Sequence, residues 1–268
     1  MLSAAKVSSN VKPIAQAGLI AKGLVYVLLG VLAFMAAFHL NGHSVNGADK
    51  EGVLSFIQAQ TGGQLLLALI ALGLFCYSIW RAVQTFSDTA HKGNSAKGIA
   101  SRLRYLASGL IYASLAVYAV KMLLSKGGSS GKSSNQSMIG DLLNKPFGEF
   151  LLAAVAAIIA GIGMYQIYYG LSEKYEKHVS GVGSNSNSNL LLISGKVGYV
   201  ARGIVWLIIG WLFAKAAFNS NAAQAGDTAD AFRFLANASY GAYLLGGVGL
   251  GLICYGIFNF IRARYENL

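Results

Sequence analysis

Proline and acidic residues are scarce in this chain. Two prolines occur in 268 residues, and ten Asp and Glu stand against 21 Lys and Arg. So little proline excludes a proline-rich linker or a collagen-like chain, whereas 33 glycines suit closely packed membrane helices. Charged residues make up 12% of the total, about half of what a soluble domain carries. Two cysteines, Cys76 and Cys254, exclude a disulfide-stapled scaffold, and both read as free thiols inside apolar runs. HExxH, a nucleotide-binding glycine loop, a GxSxG elbow and any Cys/His cluster are all missing. The chain is therefore read as no enzyme, with no metal and no cofactor. The four histidines (His39, His43, His91, His178) sit at the ends of apolar runs or between them, and no two share a run to ligate haem.

What the chain does have is long apolar runs. A hydrocarbon core of about 30 Å requires about 20 helical residues. Six segments reach that length: 17–40, 64–86, 104–124, 147–171, 197–218 and 240–261. The Ser/Gly/Lys tract Ser125 to Ser137 reads as a flexible loop, and Ser180 to Asn189 as a second mobile stretch. The basic residues divide 14 to 7 in favour of the side carrying both termini, which predicts cytoplasmic termini. Lysine and arginine beside membrane spans point to anionic lipid as partner, and no nucleic acid is expected.

The runs repeat in pairs. Ala21-Lys22-Gly23-Leu24-Val25-Tyr26 matches Ala201-Arg202-Gly203-Ile204-Val205-Trp206, and Gly109 to Tyr112 repeats the small-aliphatic-aliphatic-aromatic element with Ser108 before it. Each even-numbered run carries a glycine four residues before a tyrosine: Gly73 and Tyr77, Gly161 and Tyr165, Gly251 and Tyr255. Four residues apart is one helix face, so each glycine notches the helix beside its tyrosine. The predicted fold is all-α: six transmembrane helices in three tandem hairpins (17–86, 99–171 and 195–264), related by pseudo-threefold symmetry around one axis.

Asp49 and Asp227 each precede a short apolar stretch and are placed to cap short helices in the outer loops, ahead of turns at Gly63 and Gly241. These helices read either as lids over an outer vestibule or as elements lying at the lipid headgroups. Lys22 and Arg202 are expected about 7 Å inside the inner ends of their spans, at 1.5 Å per residue. Together with Arg81, Tyr77, Tyr165, Tyr255 and Asn259 they form a candidate polar and aromatic layer, to which Arg104 and Gln166 add. Such cations either snorkel to the headgroups or face the interior, where a basic ring attracts an anion or a phosphate headgroup. Glu149 and Lys215 are read as interfacial.

The tandem hairpins and their glycine-aromatic elements resemble a bacterial membrane family, the domain-of-unknown-function family numbered 1206, described as a pair of transmembrane helices occurring three times. The resemblance runs from about Ala17 to Arg264 and implies a bacterial cytoplasmic-membrane location without supplying an activity. The middle unit departs from the pattern, with Ser108 in place of a cation and Tyr169 where the first unit has Arg81. Mitochondrial carriers also repeat a helix pair three times, but their proline-acid-base element is missing. Transport of a small solute, with an anion as the candidate, is the expected function. A non-transporting module that binds lipid or a partner protein is the alternative.

Overall fold

The structure, a computed structural model, describes residues 4–40, 45, 48–86, 95–124, 139–176 and 186–265; within these, the side chains of 4–11, 96, 97, 100, 104 and 186–188 are not included. The described chain is helical: α1 (Ala4–Ala37), α2 (Lys50–Gln58), α3 (Gly63–Phe86), α4 (Ala96–Leu124), a short α5 over 139–143, α6 (Gly148–Leu171), α7 (Ser186–Phe218), α8 (Thr228–Ala236) and α9 (Gly241–Tyr265). Six of these are long and apolar enough to cross a membrane: α1, α3, α4, α6, α7 and α9. The protein is a multi-pass membrane protein of three helical hairpins.

Two helices begin earlier than the apolar runs they contain: α1 at Ala4 and α7 at Ser186. The polar residues Ser186 to Asn189, expected to be mobile, instead form the first turn of α7. The tract Ser125 to Ser137 lies outside the described residues, as do His43, His91 and His178.

The repeat is visible in the backbone at the turns that enter α3, α6 and α9. Gly62, Phe147 and Tyr240 all adopt left-handed φ, at 76°, 64° and 61°. A glycine follows each one, and a Cβ there would strike a carbonyl of the preceding segment: Ile57 O at 1.8 Å for Gly63, Leu142 O at 2.0 Å for Gly148 and Ala236 O at 2.0 Å for Gly241. Only glycine lets the chain reverse so tightly into the descending helix. Asp49 accepts from Gly52 N at 2.5 Å, and Asp227 from Asp230 N at 3.1 Å within a capping box. These bonds satisfy amides left free at a helix start. Each short helix turns one face into the bundle. Val53, Leu54 and Ile57 of α2, and Phe232 of α8, are buried in the main core.

Helix order around the bundle is α4, α3, α1, α9, α7, α6, each packed against the next. Small residues allow the close approaches. Ala21 Cβ seats 2.4 Å from where a Gly73 Cβ would be, and Ala201 Cβ 2.3 Å from that of Gly251. Between hairpins, Gly30 meets Gly249 and Gly163 meets Gly203, backbone to backbone. Among the described residues the ring does not close, because α4 and α6, the two long helices of the middle unit, share no comparable interface. The bundle is a horseshoe, with α1 and α9 the most enclosed helices and α6 the least.

Candidate functional site

Cations and tyrosines converge in the middle of the bundle. Lys22 on α1 is 3% exposed. Its Nζ donates to Tyr77 Oη at 3.2 Å and stands 5.0 Å from the Tyr77 ring, 5.3 Å from Tyr255 and 5.5 Å from Tyr112. Arg202 repeats the arrangement in the third hairpin. Its Nη1 donates to Tyr255 Oη at 2.5 Å, with the guanidinium 4.9 Å from that ring and 5.4 Å from Tyr26. Arg81, one turn along α3, adds Nε and Nη2 to Tyr77 Oη at 2.8 and 2.6 Å. The ring pairs Tyr26–Tyr255 and Tyr77–Tyr112 have the same geometry, edge to face at 4.8 Å. From the end of the bundle opposite the termini, α2 brings Lys50 Nζ to 5.6 Å from Tyr26 and 5.2 Å from Tyr112.

Lys22 and Arg202 lie well inside α1 and α7, which begin at Ala4 and Ser186. Snorkelling is overturned for Lys22, whose ammonium points at Tyr77 across the notch made by Ala21 and Gly73.

Buried cations usually meet carboxylates. Here hydroxyls and ring faces replace them. Among the described residues, Lys196–Glu173 and Arg233–Asp230 are ion pairs at half-exposed positions, and neither Lys22 nor Arg202 takes part in one. Arg202 Nε and Asn259 Oδ1 are enclosed without a hydrogen-bond partner. Acids gather instead toward the end of the bundle opposite the termini, at the start of α2 and α8. Burial first, then the charges of Asp49 and Asp227, hold the Glu51 carboxyl above its usual range. The protein thus maintains a positively charged, hydroxyl-lined layer in a low-dielectric setting, which favours negative charge.

Of the residues expected here, Lys22, Arg81, Arg202, Tyr77 and Tyr255 are brought together. Asn259 is fully buried one turn below Tyr255 and donates Nδ2 to that residue's carbonyl at 2.6 Å. Tyr165 is excluded from the layer. It is 45% exposed and stacks on Tyr169 of its own helix, because α6 does not face α4. Gln166 is buried on α6 with Oε1 unpartnered, and the Arg104 side chain lies outside the described residues. Glu149 is exposed and accepts from Ser220 Oγ, and Lys215 is exposed. Three members were not anticipated: Tyr26, Tyr112 and Lys50. The first two carried a signal, since each ends the repeated small-aliphatic-aliphatic-aromatic element one turn beyond Lys22 or Ser108.

Comparison with known proteins agrees with this three-unit layout. The family model described as Domain of Unknown Function (DUF1206) matches residues 17–88, 103–173 and 197–266. An uncharacterized protein of Bacillus subtilis (strain 168), YxxB, is 29% identical over 261 residues, covering 96% of this chain and 92% of the relative. No solved structure matches. With the family pattern recurring in each of its three hairpins, the chain belongs to the DUF1206 family.

Proposed function

We propose that this protein binds a small anionic solute in its cation–tyrosine layer and carries it across the membrane, acting as a binding and transport protein without catalysis. The observation that carries this reading is the carboxylate-free pair of buried Lys22 and half-buried Arg202, turned onto tyrosines inside the helix bundle. Charge held inside a bilayer is costly and persists where it does work on a ligand. Lys22 has three donors and a single hydrogen-bond acceptor, Tyr77 Oη. Arg202 adds its unpartnered Nε. An oxyanion supplies the acceptors both groups lack. The excess of basic residues on the side of both termini supports a bacterial cytoplasmic membrane location with cytoplasmic termini.

The same chemistry fits a free oxyanion or the phosphate of a lipid headgroup, and the test separates them. Purified protein in liposomes is assayed for phosphate, sulfate and nitrate flux against Lys22→Gln, Arg81→Gln and Arg202→Gln. Flux in wild type that falls at least tenfold in Lys22→Gln and Arg202→Gln supports transport. Anion leak identical in protein-containing and protein-free vesicles overturns it. Native mass spectrometry in mild detergent reads the lipid arm: a retained phospholipid, lost in both variants, favours a headgroup-binding module that does not transport.

A further inference from the structure

The middle hairpin has the residues of a packed hairpin without the packing. In the first and third units, Ala21 and Ala201 seat in the notches of Gly73 and Gly251. The corresponding residues of the second unit are Ala107 and Gly161, yet nothing lies within 4 Å of where a Gly161 Cβ would be, and Ala107 is exposed. About one turn toward the outer side, the contrast repeats. Val25 and Ile70 are 0% and 2% exposed, and Val205 and Val248 are 5% and 7%. Their counterparts Ile111 and Ile158 are 41% and 63% exposed. The knob, the notch and the flanking aliphatic pair are thus written three times and used twice.

We infer that α4 and α6 form a lateral gate: in a closed state Ala107 seats in the Gly161 notch, as its counterparts do, and in the open state shown here the two helices part toward the lipid. The surface that covers the α6 face is therefore the chain's own α4. The first and third hairpins supply the pattern, with the same residue types at the same register making that contact. Closing carries Tyr165 inward to the third position equivalent to Tyr77 and Tyr255. Opening leaves the bilayer side of the horseshoe without a helix next to α4, whose Tyr112 belongs to the central layer. The gate stands on packing alone and does not depend on which solute the layer holds.

Disulfide trapping tests it in membranes. In a Cys76→Ala, Cys254→Ala background, the pair Ile111→Cys with Ile158→Cys probes the gate. Val205→Cys with Val248→Cys is the control for a closed hairpin. Both test positions are exposed, so the pair leaves the fold intact. Mild oxidation is expected to give an internally crosslinked monomer for both pairs, more slowly at the gate. Gly161→Leu, which meets nothing in the open state, should abolish the gate crosslink and leave the control unchanged. Spin labels at 111 and 158 read the same equilibrium without disulfide chemistry, as a short-distance population that Gly161→Leu removes. A crosslinked control beside an unreactive gate pair with no short distance overturns the inference. So does a crosslinked dimer from the gate pair, which assigns the face to a second copy of the chain. Lost anion flux with an intact gate crosslink sinks the solute reading alone.

Discussion

Replacing Lys22 by methionine removes the buried ammonium at nearly constant length, and its effect on stability is set by opposing terms. Burial of a lone cation costs several kcal/mol. Against that cost, one hydrogen bond from a charged donor contributes about 1.5–3 kcal/mol, and three ring faces about 0.5–2 kcal/mol each. These terms nearly cancel. The substitution also leaves no orphan, because Tyr77 Oη still receives Arg81 Nε and Nη2 at 2.8 and 2.6 Å. Lys22→Met should therefore unfold within about 1.5 kcal/mol of wild type in mild detergent, as a well-packed apolar replacement of a buried charge does. Its response to anions should differ sharply. An anion at a hundredfold excess over its Kd stabilises the wild type by about 2.7 kcal/mol through mass action, and Lys22→Met should lose most of that increment. Thermal unfolding with and without phosphate, sulfate or nitrate measures both quantities. A loss above about 3 kcal/mol without anion would mean that the ammonium is a structural brace. An unchanged anion-induced shift would remove Lys22 from the binding site.

Two further outcomes follow from packing and charge. Gly251→Ala places a methyl group 2.3 Å from Ala201 Cβ and should destabilise by about 1–3 kcal/mol through overpacking; Gly161→Ala meets nothing and should be neutral or gain up to about 1 kcal/mol of helix propensity. Equal losses at the two positions in a detergent unfolding series would refute the open middle hairpin. Glu51→Gln should raise the melting temperature at neutral pH. The folded carboxyl is held above its usual value of 4.5 by burial, Asp49 and Asp227, so stability is lost as pH rises from the unfolded value through the folded one. The advantage of Glu51→Gln should vanish at pH below 4.5, and a melting difference that persists there contradicts the cause assigned.

The six spans and their threefold recurrence were legible because hydropathy and glycine spacing report local helix geometry, and helix pairs in lipid need small residues at fixed register. Helix ends were less legible: α1 and α7 start well before the apolar runs at Ala17 and Val197. The Ser/Asn tract at 186–189 misled because polar residues at a span's end are free to continue a helix once the backbone has begun it. Lys50 left no trace at all. Its reach to Tyr26 and Tyr112 depends on how α2 folds back between α1, α3 and α4, a tertiary event with no local pattern. Tyr165 shares the glycine-tyrosine spacing of Tyr77 and Tyr255, so spacing alone placed it with them.

What separates Tyr165 from its counterparts is the residue opposite. Lys22 bonds to Tyr77 and Arg202 to Tyr255, each tying the ascending helix of its hairpin to the descending one. Ser108 stands at that position in the middle unit, and a serine hydroxyl is too short and uncharged to replace such a tie across the gap. The lost cation and the open hairpin fall in the same unit, where Ser108 hydrogen-bonds Tyr77 of the first hairpin, and the missing tie to Tyr165 is the predicted cause. Ser108→Arg tests the causal order. An arginine there should reach Tyr165 Oη as Arg202 reaches Tyr255 Oη, adding about 1.5–3 kcal/mol to the closed state, or about one to two orders of magnitude in the open–closed equilibrium. Faster crosslinking of cysteines at 111 and 158 in this variant, with Tyr165→Phe reversing the gain, is the expected result. If Ser108→Arg leaves that rate unchanged, the hairpin is held open by the packing of α6 on α7, and the serine follows from the opening instead of causing it.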